Sequence, residues 1–327
     1  MLAARLPLLL EPLTADTRVV IYRPRAEDVF PDVLSGVKVQ IVQGFKPDAD
    51  AFSARGFEVV TNAQAEFDLA IVAVPRSKLE ARALIADAAS RAKRVIVDGQ
   101  KTDGIDSLIK DINKRASSPQ SVSKAHGKAI AFSDGDFSDW ADPGPLHLID
   151  GFVTRLGVFS VDRVDQASKL LVEALPEKLP AKVADLGAGW GYLSRAILAR
   201  EGVRELHVVE AEAAALACAK ENLDDPRAQF HWEDATRFSP TTRLDAVIMN
   251  PPFHTARAAD PSLGQAFIAN AARILAPHGE LWLVANKQLP YEATLAAHFG
   301  SYDQLAITGG FKLLHAAKPL RRSGPSA

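Results

Sequence analysis

The sequence predicts an α/β protein in which one parallel-sheet architecture is used twice in tandem, the first copy degenerate and the second closed by an antiparallel strand. Three observations carry this. Short β-branched runs alternate with helical stretches in both halves. The chain, at 327 residues, is long for one core and comfortable for two. A glycine-rich turn follows the first strand of the second half, and the equivalent place in the first half has no glycine.

The first half opens with "MLAARLPLLLEPL", whose apolar patch is interrupted by Pro7 and Pro12 and has no small-residue cleavage site after it. It therefore reads as a helix or docking segment, not a signal peptide. "RVVIY", "KVQIV", "FEVV" and "FDLAIVAVP" follow as strands, then the helical "KLEARALIADAASRA" and the strand "RVIVDG". Strands buried on both faces of a parallel sheet read as such continuous apolar runs. Residues 116–150 are rich in Ser, Gly, Asp and Pro and hold the linker or an irregular end of this domain, so the division is set at 1–135 and 136–327.

The rhythm then restarts more clearly. Helix "DRVDQASKLLVEAL" leads to strand "KVADLG", the glycine turn, helix "YLSRAILAR", strand "ELHVVE" and helix "EAAALACAKENL". Strands "QFHWED" and "LDAVIMN", helix "LGQAFIANAARIL", strand "GELWLVAN" and helix "YEATLAAHF" come next. "YDQLAIT" and "FKLLHAA", joined by Gly309-Gly310, read as a hairpin that turns the final strand antiparallel. "FDLAIVAVPRSK" in the first half sits where "LDAVIMNPPFH" sits in the second, without the Asn and the second Pro. The first copy is thus a duplicate that has lost its small-molecule chemistry.

Composition excludes several classes. A hydrophobic fraction of 47%, a charged fraction of 24% and a net charge of -2 match a globular protein and exclude a globally basic nucleic-acid binder. No run approaches the roughly 20 apolar residues of a membrane span. The single Cys218 excludes an internal disulfide and a Cys-based metal site and fits a reducing cytoplasm. The histidines show no His-x-x-x-His spacing, so no metal is expected, and no Gly-x-Ser-x-Gly turn points to covalent catalysis.

"ADLGAGWGYLS" places Asp185, Gly187, Gly189 and Gly191 between a strand and a helix, where glycines permit a tight turn and let backbone amides approach a ligand. The spacing differs from that of dinucleotide sites and lacks the Gly-Lys-Ser/Thr of a phosphate loop. Glu210 ends the next strand about 20 residues on, where an acid accepts bonds from ribose hydroxyls. Asp234, ending "QFHWED", is placed to bond an exocyclic adenine amine, with the backbone of Ala235 beside it. An adenosine without phosphates is implied, which points to S-adenosylmethionine and away from NAD.

"NPPFH" supplies the acceptor side. Prolines lack an N–H and have fixed φ, so the turn is stiff and its carbonyls are free to accept. The Asn250 amide oxygen and the Pro251 carbonyl can converge on one planar NH2 group while Phe253 covers the ring that bears it. Such an amine is a feeble nucleophile; accepting its protons localises the nitrogen lone pair, so the assistance is positional and electrostatic. His254 either borders that pocket or sits on a surface loop.

"DLGAGWGYLS", "LDAVIMNPPFH" and "LWLVANKQLPYE" together resemble the RsmC-type ribosomal RNA (guanine-N2)-methyltransferases, as do "RLGVFSVDRVDQASKLL" and "PRSKLEARALI". The resemblance implies two Rossmann-like methyltransferase domains in tandem, the second with a seven-stranded sheet. It implies S-adenosylmethionine held by Asp185, Gly187, Gly189, Gly191, Glu210, Asp234, Ala235 and Asn250, and guanine held by Asn250, Pro251 and Phe253, with Phe159 lining the same cavity. The implied substrate is ribosomal RNA or a ribosomal subunit, in the cytoplasm, with no metal, no membrane and a monomeric chain. Ala188 departs from a position often filled by Cys in methyltransferases, and the first domain is the less easily matched half.

Basic residues between Arg76 and Lys128, including Arg91, Lys93, Arg94, Lys110, Lys114, Arg115 and Lys124, form either an RNA phosphate contact or a solvated face. Two rival readings stay open on the residues alone. One keeps the enzyme and changes the acceptor to an adenine N6 amine or a protein glutamine amide; the other is a non-catalytic RNA-binding or ribosome-assembly protein.

Overall fold

A computed structural model describes residues 2–148, 150–252 and 261–321. The chain forms two compact units, Met1–Gly144 and Pro145–Ala327. In the first, the elements are β1 (Arg18–Tyr22), β2 (Lys38–Val42), α1 (Lys46–Ala54), β3 (Glu58–Val60), β4 (Phe67–Ala73), α2 (Lys78–Arg91), β5 (Ala92–Gln100), α3 (Ile105–Ile112), β6 (Gln120–Lys124) and β7 (Gly127–Phe132). The sheet has the order β3-β2-β1-β4-β5-β7-β6, with only the pairs involving β7 antiparallel.

Val19, Val20 and Ile21 of β1 and Ile71 and Val72 of β4 are fully buried, as apolar runs between two helical layers must be. Leu2, Leu6 and Leu9 of the amino-terminal segment are buried too, so the segment docks on its unit. Between them Arg5, also fully buried, forks onto Asp98 at the end of β5 (2.6 and 2.7 Å). Removing one partner of such a pair costs about 3–5 kcal/mol.

Two expectations change here. The stretch read as irregular contains the β6–β7 hairpin, which completes the sheet through a two-residue turn with Ala125 at φ 51° and His126 at φ 57°. That backbone ordinarily carries Asn or Gly, and "QSVSK" is polar on both faces, so neither usual signal was present. The division between units also follows Gly144 and not residue 135. Phe137 packs on Phe132 (ring centroids 4.9 Å) and on Trp140 (5.2 Å), which ties this stretch into the first core.

The second unit runs β8 (Leu146–His147), β9 (Val153–Thr154), α4 (Gln166–Ala174), β10 (Lys182–Leu186), α5 (Tyr192–Leu198), β11 (Glu205–Glu210), α6 (Ala213–Asn222), β12 (Ala228–Trp232), β13 (Leu244–Met249), α7 (Pro261–Ile274), β14 (Leu275–Asn286), α8 (Glu292–His298), β15 (Phe299–Thr308) and β16 (Phe311–Pro319). Its sheet has the order β12-β11-β10-β13-β14-β16-β15. β16 runs antiparallel to both neighbours, and Gly309 and Gly310 make the turn.

The two sheets are one topology, and a matching bolt fixes their correspondence. Asp68 at the start of β4 accepts the Arg18 amide (2.9 Å), and Asp245 at the start of β13 accepts the Lys182 amide (3.0 Å). Val19 pairs with Leu69, and Val183 with Ala246. Counting along the strands from these pairs places Ile21 at the position of Asp185, Arg23 at Gly187 and Ala73 at Asn250. The partners Lys38 and Glu205 on the neighbouring strands likewise place Gln43 at Glu210.

Candidate functional site

The site lies at the carboxyl ends of β10, β11 and β13, where open parallel sheets bind ligands. Asp185 of β10 is fully buried. Its Oδ2 accepts the Ser194 hydroxyl of α5 at 2.7 Å, and its Oδ1 has no partner among the described residues. Burial, opposed by the Ser194 bond and reinforced by the Glu210 charge, pushes its carboxyl up to about 7. A buried carboxyl with an open lone pair is an acceptor prepared for an N–H-bearing or cationic group.

The glycine loop differs from expectation in one respect. The amides of Gly187 and Ala188 donate to the Val209 carbonyl (2.9 and 3.0 Å), that of Gly191 to the Ala188 carbonyl (3.0 Å), and that of Gly189 to Glu210 Oε2 (2.7 Å). These donors serve the fold, so what the loop offers a ligand is room. At Gly191 a Cβ would stand 3.3 Å from Leu223 at φ 93°, whereas at Gly189 nothing lies within 4 Å. The first glycine closes the loop onto α6 and the second keeps the cleft floor bare.

Glu210, ending β11, also accepts the Glu212 amide through Oε1 (2.8 Å). Burial raises its carboxyl against these amide bonds. A carboxylate has about four acceptor sites, so both oxygens retain capacity for hydroxyls. Asp234 closes the turn after β12, its Oδ1 accepting the amide and hydroxyl of Thr236 (2.8 and 2.7 Å). Asn270 of α7 donates to the carbonyls of Ala235 (2.7 Å) and Phe238 (3.1 Å) and so holds that turn. Gly187, Gly189 and Asn250 share one cleft wall with Phe159, Asp165 and Ser168, while Asp185, Gly191, Glu210, Asp234 and Ala235 stand outside that wall.

Asn250 directly follows β13, and Pro251 behind it is buried. The Asn250 amide nitrogen donates to Asp165 Oδ2 and to Ser168 Oγ, each at 2.9 Å, which turns its oxygen away from both. Phe253 and His254 lie outside the described residues. Across the cleft Phe159 is 61% exposed, enough ring for a flat ligand to cover.

Composition and spacing alone missed the residues that tie this wall together. The Trp190 indole donates to the Phe159 carbonyl (2.9 Å), and Asn222 donates to the carbonyls of Trp190 and Val153 (both 2.8 Å). Phe152 packs on Trp190 (4.9 Å) beneath the Arg195 guanidinium (3.6 Å). Cys218 is fully buried, and burial pushes its thiol up to about 11, so it is no nucleophile.

Among the described residues no group of three or more His, Cys, Asp or Glu could hold a metal ion. Two histidines far apart in sequence do meet: His207 Nδ1 lies 2.9 Å from His231 Nε2 against the Phe238 ring. Burial lowers the pKa of both. Among the described residues no helix is long and apolar enough to cross a membrane.

The basic run of the first unit is largely neutralised. Lys78 and Arg82 pair with Asp111, Arg91 with Asp87, Lys93 with Asp68, Arg94 with Glu11, Arg115 with Asp139 and Lys128 with Asp106. Exposed Arg76, Lys110, Lys114 and Lys124 have no ion-pair partner among the described residues.

Comparison with known proteins identifies the family. Residues 151–315 match the Methyltransferase small domain family. The ribosomal RNA small subunit methyltransferase C of Shewanella halifaxensis is 32% identical over 267 residues, 77% of this chain and 78% of its own. That of Serratia proteamaculans is 29% identical over 261 residues, 77% and 75% of the respective chains. Among solved structures, the T. thermophilus 16S rRNA N2 G1207 methyltransferase (RsmC), in complex with AdoMet and guanosine, superposes with a TM-score of 0.77 at 25% identity. The match covers 94% of this chain and 89% of that one.

Proposed function

This chain belongs to the ribosomal RNA small subunit methyltransferase C family, and from that premise we propose how its own residues divide the work. It is an S-adenosylmethionine-dependent ribosomal RNA methyltransferase whose target is the N2 amine of a guanine in 16S RNA. S-adenosylmethionine supplies an electrophilic methyl group on a sulfonium.

The residues present fit that cofactor. Asp185 has a buried, unpartnered oxygen suited to an ammonium or amide group, and Gly189 leaves the floor free of side-chain bulk. Glu210 has spare acceptor capacity for ribose hydroxyls at the next strand end. Asp234 and Ala235 close the adenine end of the site, on the turn that Asn270 steadies.

The observation that carries the reading is the orientation of Asn250, whose nitrogen is engaged and whose oxygen is therefore the atom offered to the cleft. That oxygen, with the Pro251 carbonyl, accepts the two protons of a planar amine and favours a localised lone pair on its nitrogen. Phe159 covers the base, which is unstacked from the RNA before reaction. No titrating base is needed for this assistance. We place the enzyme in the cytoplasm as a monomer, since the duplication supplies its second sheet within one chain.

Transfer of a labelled methyl group to unmodified 16S RNA, followed by digestion to nucleosides, tests the reading. The expected product is N2-methylguanosine; a different methylated nucleoside overturns the acceptor assignment.

A further inference from the structure

We infer that Asp165 and Ser168 are positioning residues for methyl transfer, which lock the Asn250 amide with its oxygen toward the acceptor amine. The inference rests on the acceptor reading above.

Both protons of the Asn250 amide nitrogen are engaged, one by Asp165 Oδ2 and one by Ser168 Oγ, each at 2.9 Å. A flipped amide would set its oxygen against the Asp165 carboxylate, an acceptor-only group when ionised, and would turn donors toward an amine that itself needs acceptors. Ser168 does not discriminate in this way, because a hydroxyl donates as readily as it accepts. Asp165 therefore decides the orientation and Ser168 supports it.

The pair is rigid by construction. Asp165 is the N-cap of α4, and the same Oδ2 accepts the Ser168 amide at 2.8 Å, so the carboxylate is pinned by its own helix. Ser168 is 8% exposed, and Ala167 and Leu171 beside it are buried in the core. Asp165, Ser168, Asn250 and Phe159 line the same cleft, so the segment from "GVFS" to α4 brings both a ring and an orienting carboxylate to the acceptor. A helix cap alone would not need to reach across to β13.

The arrangement also constrains residue 250. An aspartate there would face Asp165 at hydrogen-bond distance, and two carboxylates so close cannot both stay ionised and in place. Exchanging the two groups restores one donor facing one acceptor.

The test uses the full-length chain and single-turnover methyl transfer to unmodified 16S RNA, with cofactor affinity by calorimetry and thermal unfolding alongside. Asn250→Asp should lower the rate about 100-fold or more. Adding Asp165→Asn should recover at least about tenfold at unchanged cofactor Kd, because the Asn amide now donates to the new carboxylate; the atom that donates can no longer accept the Ser168 amide, so Tm should fall modestly with the lost cap. Ser168→Ala, which keeps a good helix former, should slow transfer about tenfold at unchanged Tm. A double variant no faster than Asn250→Asp, or a full-rate Ser168→Ala, overturns the inference. A full-rate Asn250→Ala would instead overturn the acceptor reading itself.

Discussion

The two sheets share strand order and even the aspartate that bolts the central pair at Asp68 and Asp245, yet they differ at the strand ends that form the candidate site. Where the second has Asp185, the first has Ile21, fully buried. Where the second has Gly187 at φ 76°, the first has Arg23, still left-handed at φ 54° but carrying a long side chain. Arg23 bonds Gln43 (3.0 Å) and meets Glu80 (3.2 Å), and Gln43 bonds the Pro24 carbonyl (2.7 Å), so side chains occupy the crevice in the first unit. Gln43 even repeats the contact that Glu210 makes, accepting the amide two residues on (2.9 Å, against 2.8 Å). The scaffold is a property of the apolar strands, and the strand-end residues to which we assign the chemistry differ between the copies without rebuilding it.

Converting the second copy to the first, one residue at a time, breaks or sharpens that statement. The largest effect is expected from Asn250→Ala, the residue that Ala73 already is: kcat should fall about 10²–10³-fold while calorimetry finds cofactor affinity unchanged. Loss of affinity together with rate would make Asn250 a cofactor residue first.

Asp185→Ile should come next, weakening cofactor binding about 100-fold in a chain that still folds, because an apolar side chain replaces a carboxyl whose burial is unfavourable. The pH dependence has a definite sign. The unfolded Asp185 loses its proton near 3.8 and the folded one near about 7, so between these values the folded state holds more protons and stability falls as pH rises. If, as proposed, cofactor binding needs the carboxylate, affinity should weaken by up to about tenfold per pH unit below about 7. Thermal melts and calorimetry at pH 5 to 8 check both, and Asp185→Ile should flatten each profile.

Glu210→Gln should be the mildest, raising cofactor Kd about tenfold: its amide oxygen can keep the Glu212 amide as Gln43 keeps that of Phe45, while its nitrogen forfeits the charge and the acceptor for the Gly189 amide. Unchanged affinity would place the ribose contact elsewhere.

Much of this was legible in the residues. Continuous apolar runs located the strands of both parallel sheets, and the paired "FDLAIVAVPRSK" and "LDAVIMNPPFH" revealed the duplication through the aspartate that turned out to be structural. What escaped had physical reasons. The β6–β7 hairpin lacks Gly or Asn at its turn and an apolar face on β6. The amides of the glycine loop are satisfied by Val209 and Glu210, partners set by sheet pairing and not by spacing. Asp165 and Ser168 lie more than 80 positions before Asn250, and only the return of α4 over the sheet brings them to it. The basic run counted charges without the carboxylates that fold onto them.

The most direct test of the account is calorimetric titration of the whole chain with S-adenosylmethionine. One binding site per chain, lost in Asp185→Ile, is the result expected if the second sheet alone retains the chemistry. Two sites per chain, or one that survives Asp185→Ile, would show that the first sheet binds cofactor and would contradict it.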